Sequence, residues 1–257
     1  MKNNEKILMI TYFYGTKGCC PAEWADDKLD AMCKIDKNTI LLTSVFSKTN
    51  TQTDVKHYKI PSLSLQDLRH ELHEIKQESM SIPYIKLILW FPFIITLGWG
   101  LDIAQKIFTS GNGGGKWSWA IPASIVALYL ALRYNCKKIF TTGGPASPHL
   151  AGVFVYKLTG KVLICELQDP LTGKDIGRTV NSAKMLGKVE EIIMNNASKV
   201  VFVTKNAADY AKIKYHNVKA NIVSIYPGSK FYTASKSIDN KSNKKKKKIR
   251  GLATQKI

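Results

Sequence analysis

Seven short runs of β-branched and aromatic residues are strung along this chain, with helix-like stretches separating most of them. KILMITYFY (Lys6 to Tyr14) stops at Gly15, and NTILLTSV (Asn38 to Val45) and VKHYKIP (Val55 to Pro61) follow. KKIFTT (Lys137 to Thr142), KVLICELQ (Lys161 to Gln168), KVVFVT (Lys199 to Thr204) and NIVSIYP (Asn221 to Pro227) complete the set. Helical stretches are expected over Ala22 to Ile35, Trp117 to Tyr134, His149 to Leu158, Ser182 to Asn196 and Ala207 to Tyr215. A further one, LSLQDLRHELHEIKQES, carries Leu65, Leu68, Leu72 and Ile75 at helical spacing. Strands joined through helices cannot form tight hairpins, so the chain reads as α/β with a mainly parallel sheet. The strands are almost continuously apolar, as a sheet covered on both faces requires. A single Rossmann-like domain from Met1 to Ser229 is the expected fold.

Charge divides the chain. Of 38 Lys and Arg residues, ten lie between Lys230 and Ile257, with a single Asp among them. That lysine-rich segment has no aromatic residue and few large apolar ones beyond Thr233, so it is expected to be disordered. The net charge of +19 favours polyanions, whether anionic lipid surfaces, phosphorylated substrates or nucleic acid. Nucleic-acid binding is disfavoured, because the charge gathers at one end with no stacking platform or recognition motif. The five cysteines, Cys19, Cys20, Cys33, Cys136 and Cys165, show no CxxC or Cys/His ligand spacing. They read as reduced thiols in the cytoplasm, without structural zinc. The N-terminus lacks the apolar core and cleavage site of a secretion signal.

YIKLILWFPFIITLGWGL (Tyr84 to Leu101) contains a single charge, Lys86, and opens an insert expected over 84–108. Its length sits at the lower edge for a membrane span. A span is rejected here, because it would put three strands on one side of a bilayer and four on the other. Two readings stay open: a buried helix under the sheet, or an in-plane element at a membrane surface anchored by Trp90, Trp99 and Trp117 with flanking lysines. SGNGGGK (Ser110 to Lys116) reads as a hinge, since neither its spacing nor its context fits a Walker loop.

Ligands of doubly wound sheets bind outside the carboxyl ends of the strands. After the first strand, Gly15 and Gly18 either offer backbone N–H groups to a phosphate or simply turn the chain. After the fourth, TTGGPASPHLAG combines Gly143 and Gly144 with Ser147 as an N-cap and Pro148 at the first helical position. His149 then falls in the first helical turn, where the positive dipole end favours a neutral imidazole. It either meets a sugar hydroxyl or has no role. After the fifth strand, Asp169 before Pro170 binds a hydroxyl or cation, or caps the turn. Glu190 and Glu191 read as a solvated helix face.

Taken in order, ILMITYFYGTKGCCPAEWADDKLDAM, IFTTGGPASPHLAGVFVYKLTGKVLICELQDPLTG, EEIIMNNASKVVFVTKN and IVSIYPGS resemble the N-terminal domain of family-four, GT-B-fold glycosyltransferases. That resemblance implies transfer of a sugar from a nucleotide sugar to a glycan or lipid-linked acceptor in surface polysaccharide synthesis. The nucleotide sugar is a co-substrate, and no cofactor or essential metal is implied. The resemblance makes His149 and Asp169 the catalytic candidates and Gly15, Gly18, Gly143, Gly144, Glu190 and Thr204 the donor- and acceptor-binding ones. Ala146 stands where the family often has a first histidine, and Gln168 where an arginine commonly precedes the Asp-Pro step. The family's second Rossmann-like domain would follow Gly228, where only the lysine-rich segment stands. The chain is therefore expected to be half an enzyme with little or no activity alone, partnered by a separately encoded half or cut short near Lys244 to Lys248. It is expected to be cytoplasmic, at most peripheral on the inner face of the plasma membrane. The competing reading is a non-enzymatic binder of polyanions or membrane surfaces.

Overall fold

The structure is a computed structural model that describes residues 6–16, 18–35, 38–48, 55–77, 80, 84–109, 116–172 and 179–226. Residues 110–115, where the hinge is expected, and the lysine-rich segment lie outside them. Residues 1–227 form one compact unit.

Its centre is a seven-stranded sheet: β1 (Ile7–Ile10), β2 (Thr39–Ser44), β3 (Lys56–Ile60), β4 (Lys138–Gly143), β5 (Val162–Leu167), β6 (Lys199–Phe202) and β7 (Asn221–Ser224). The spatial order is β3-β2-β1-β4-β5-β6-β7, and every pairing is parallel. The sheet is thus wholly parallel, with Ile10 level with Leu42 on one side and Thr141 on the other. Chain order reverses between β1 and β4. This is the Rossmann arrangement extended by one strand, and that reversal is its topological switch point.

The helices are α1 (Cys20–Ile35), α2 (Leu65–Gln77), α3 (Tyr84–Thr109), α4 (Trp117–Arg133), α5 (Ser147–Thr159), α6 (Val180–Asn196) and α7 (Lys205–Lys214). Right-handed crossovers running in opposite directions from the switch point must lie on opposite faces of the sheet. Accordingly α1 covers one face, packing Ala25 and Leu29 on Met9 and Leu41. The other face buries Leu8, Ile10, Ile139 and Leu163 beneath Ala127 and Leu130 of α4, Val155 of α5, Ile193 of α6 and Ala208 of α7. Local signals fix the helix ends. Thr179 and Thr204 accept from Ser182 N and Ala207 N as N-caps, and Gly160 closes α5 at φ 66°.

The helix expected from Leu65, Leu68, Leu72 and Ile75 forms as α2, with Ile75 in the core and Leu72 packed against it, while Leu65 is exposed. Asp67 and Glu71 are buried on the same helix because polar partners await them, as described below. One of the two readings of the insert is excluded. The insert is one long helix, but it does not lie under the sheet. Most of α3 faces outward, with Ile94 the most enclosed apolar side chain among its described residues.

Candidate functional site

The switch point gathers the ends of β1, β4 and β5. Gly143 closes β4 with φ at 141°, a region that side chains strongly disfavour. A Cβ there would meet Pro145 Cδ at 3.4 Å and Thr11 Oγ1, from the end of β1, at 3.9 Å. A Cβ on Gly144 would stand 3.7 Å from Asp169 Oδ2. Asp169 follows β5 and is exposed. Gly143 is buried beneath this edge beside the buried Thr11, and the partly exposed backbone of Gly144 reaches the surface next to the solvated Asp169 carboxylate. Such a place can accept hydrogen bonds from a polyhydroxylated ligand lying on the glycine floor.

His149 does not face this place. It is fully buried. Its Nε2 lies 3.3 Å from the Gly143 carbonyl and its Nδ1 2.8 Å from Thr141 Oγ1. A carbonyl only accepts, so Nε2 carries the proton and Thr141 donates to Nδ1. Burial lowers the imidazole to about 4, and the bond to Gly143 works in the opposite direction. The expected neutral form is present, but burial causes it rather than the helix dipole. The expected cap also shifts by a residue. Ala146 holds the N-cap position with no side-chain cap, and Ser147 and Pro148 are already helical. Gly152, one turn on, lets α5 approach the sheet, because a Cβ there would lie 2.4 Å from Thr141 Cγ2 and 3.0 Å from Leu163 Cδ1.

The other residues singled out in the sequence lie apart. Gly15 (φ 69°) turns toward β2, where a Cβ would meet Lys48 Cβ at 3.0 Å. Gly18 is exposed, and its N–H is given to Glu23 Oε1 at 3.1 Å rather than held for a phosphate. Glu190 is not on a solvated face. It is buried, accepting from Thr172 N at 2.9 Å, Tyr215 Oη at 2.9 Å and Lys214 Nζ at 3.2 Å. It thereby ties the segment after Asp169 to α6 and α7. Glu191 is exposed, as expected. Thr204 caps α7 two strands beyond β4.

Two polar networks escaped the sequence reading. On the α1 face, Glu166 is buried, paired with Lys28 and accepting from Thr142 Oγ1 at 2.6 Å. Gln168, at the position of the missing arginine, donates to Pro21 O at 3.2 Å and so binds the start of α1 to the end of β5. On the opposite face Tyr12 Oη donates to Glu71 Oε1 at 2.9 Å, Ser62 Oγ to the same oxygen at 2.6 Å, and Ser62 N to Oε2 at 3.0 Å. Burial pushes Glu71 up to about 7 against these bonds, and Asp67 adds to the rise. Asp67 accepts from Ser118 Oγ at 2.7 Å and lies 3.6 Å from Lys116 Nζ. A lone acidic residue inside an otherwise apolar strand, as in KVLICELQ, was the available signal for Glu166. Among the described residues, no group of three His, Cys, Asp or Glu is placed to hold a metal.

No protein-family model and no curated protein sequence matches this chain. Among solved structures it is similar to Anabaena Alr3699/HepE in complex with UDP, at 12% identity over 87% of this chain and 44% of that one, with a TM-score of 0.47. Sucrose-phosphate synthase (tll1590) from Thermosynechococcus elongatus is similar at 13% identity over 88% and 48% of the two chains, with a TM-score of 0.44. The chain spans less than half the length of these two structures.

Proposed function

We propose that this Rossmann-like unit is the acceptor-side half of a glycosyltransferase. In this reading a sugar passes from a nucleotide sugar to a glycan or lipid-linked acceptor in surface polysaccharide synthesis. The observation that carries it is the approach of Gly144 and Asp169 at the switch point, where partly exposed glycine backbone, set by the buried turn at Gly143, stands beside one exposed carboxylate. The ordered sequence motifs that resemble family-four glycosyltransferases support it. Asp169 orients an acceptor hydroxyl by accepting its hydrogen bond. His149 acts behind it as a positioning residue, fixing the Gly143 carbonyl and with it the glycine floor. Transfer requires the donor to be held against this edge by a second Rossmann-like half, so the 257-residue chain alone turns over little or no donor.

An amide NMR titration tests the reading. Short-chain lipid-linked saccharides are expected to shift the Gly143, Gly144 and Asp169 resonances of the wild-type chain and to bind the Asp169→Asn variant more weakly. Saccharides that shift none of the three overturn the acceptor site. Sugar transfer by the purified chain alone overturns the half-enzyme reading.

A further inference from the structure

The inference concerns α3 and stands on the surface of that helix alone, whatever chemistry the switch point performs. Leu87–Thr109 is 23 residues long, and within it an 18-residue window has a mean hydropathy of 1.8 with 11% of its residues buried. That is long and apolar enough to cross a bilayer, yet the helix is docked along most of its length. Ile94 and Thr109 are buried. Between them, a Cβ on Gly98 would lie 2.9 Å from Leu63 O, so the helix backbone rests directly on the segment after β3. Asp102 accepts from Gln66 N, and the Thr109 carbonyl accepts from Thr179 Oγ1. Positions 94, 98, 102 and 109 fall on one narrow stripe at about 100° per residue. The protein is fastened to one side of this helix over some four turns, which excludes a helix piercing a membrane core.

The docked stripe also locates the helix. Leu63 and Gln66 follow β3, and Thr179 begins α6, so α3 lies across the carboxyl edge of the sheet, the edge that holds the switch point. Facing away from it, Phe93, Ile95, Leu97, Trp99, Ile103 and Ile107 are between 46% and 72% exposed. They spread over more than half of the helix circumference. The one hydroxyl on this arc, Thr96, is satisfied within the helix by Pro92 O at 2.8 Å. The only acid in the helix, Asp102, is turned inward to Gln66. Exposed apolar surface on this scale marks an interaction site.

We infer that α3 lies in the plane of an anionic bilayer surface, its outward arc sunk among the acyl chains and its docked stripe holding the domain against the headgroups. Two observations select lipid over a protein partner. A packing helix or sheet covers a stripe of roughly 100°, whereas fluid lipid wraps the whole arc seen here. Exposed lysines stand on the helices of this surface: Lys106 near the end of α3, and Lys184 and Lys188 of α6, the helix that packs against α3. These complement anionic headgroups, and Trp99 at 72% exposure has the amphipathic ring favoured at that depth.

Flotation of the full chain with vesicles of equal parts phosphatidylcholine and phosphatidylglycerol tests this. The wild-type chain is expected to float. Ile95→Glu, Trp99→Glu and Ile103→Glu each lower partitioning by about tenfold or more, since each replaces an apolar side chain of the arc by a carboxylate. Replacing Lys244 to Lys248 together by Gln should retain flotation, because the apolar arc remains. A second readout needs no destabilising variant. Lipids brominated near the headgroup should quench the fluorescence difference between wild type and Trp99→Phe more strongly than lipids brominated near the chain ends. Flotation unchanged by all three glutamates but abolished by the lysine replacement overturns the inference. So does stronger quenching from the chain ends. So does a stoichiometric dimer that fails to float and dissociates on Trp99→Glu.

Discussion

The Nε2–H of His149 donates to the carbonyl of Gly143 at 3.3 Å from wholly inside the protein. The same ring accepts from Thr141 Oγ1. One imidazole thus joins the start of α5 to the last turn of β4, at the residue whose φ of 141° bends the chain into the glycine floor. Replacing it by Ala leaves a cavity and reduces the Gly143 carbonyl to its 3.5 Å bond from Gln168 N, expected to cost about 2–4 kcal/mol in urea unfolding.

The same ring sets an acid-side dependence. Its folded value of about 4 lies below the ordinary 6.5. The unfolded chain therefore takes up this proton first as pH falls. The stability that neutral His149 contributes is fully present above about pH 6.5 and is lost as pH drops toward 4. Unfolding midpoints of wild type and His149→Asn, compared across that window, should show the smaller slope in the variant.

Glu71 works the other way. Its carboxyl is pushed up to about 7 from an ordinary 4.5, mainly by burial. The folded state holds this proton after the unfolded chain has released it. Stability therefore falls as pH rises between these two values and levels off above the upper one. Glu71→Gln should flatten the change in melting temperature between about pH 5 and pH 8. A wild-type chain with no such fall would show that the Tyr12 and Ser62 donors outweigh the desolvation.

Gly152 and Thr141 form a steric pair. A methyl group on Gly152 would sit 2.4 Å from Thr141 Cγ2. Gly152→Ala should therefore cost about 1–3 kcal/mol through overpacking. Thr141→Ser keeps the hydroxyl that His149 uses and deletes the obstructing methyl. A double-mutant cycle in denaturant should show that it recovers about 1 kcal/mol of the penalty.

Asp169 should separate binding from folding. Its side chain is exposed, so Asp169→Asn should shift stability by no more than about 0.5 kcal/mol. In the saccharide titration it should lower affinity by about tenfold, as expected for losing a hydrogen bond to a charged group. A stability loss larger than the binding loss would make Asp169 a turn cap.

The strands were legible because a parallel sheet writes itself locally. Each apolar β-branched run became a strand, and each polar residue after it fell at the carboxyl edge. That rule puts Gly143, Gly144 and Asp169 after their strands at the carboxyl edge, while the closeness of Gly144 to Asp169 came from the tertiary structure. Their neighbours were less legible. Ser147 has the chemistry of a cap, but the helix begins a residue earlier because Ala146 already has helical dihedrals. Glu190 looked like one of a pair of solvated acids. One residue of helical rotation sends it inward to Thr172, Lys214 and Tyr215 and leaves Glu191 in water.

The sequence by itself determined the α/β class, the strand count, the edge at which the glycine-rich and polar loops gather, and that the apolar insert could not divide the sheet across a bilayer. Periodicity and chain connectivity suffice for these, since they depend on neighbours a few residues apart. Only the tertiary structure decided that His149 is enclosed, that Glu71 is held by residues up to 59 positions away, and that α3 docks along one stripe and bares the rest. Those outcomes depend on which distant donor or surface a side chain meets once the sheet has closed. That meeting sets the desolvation and hydrogen bonding of each polar group, and a local pattern carries no record of it.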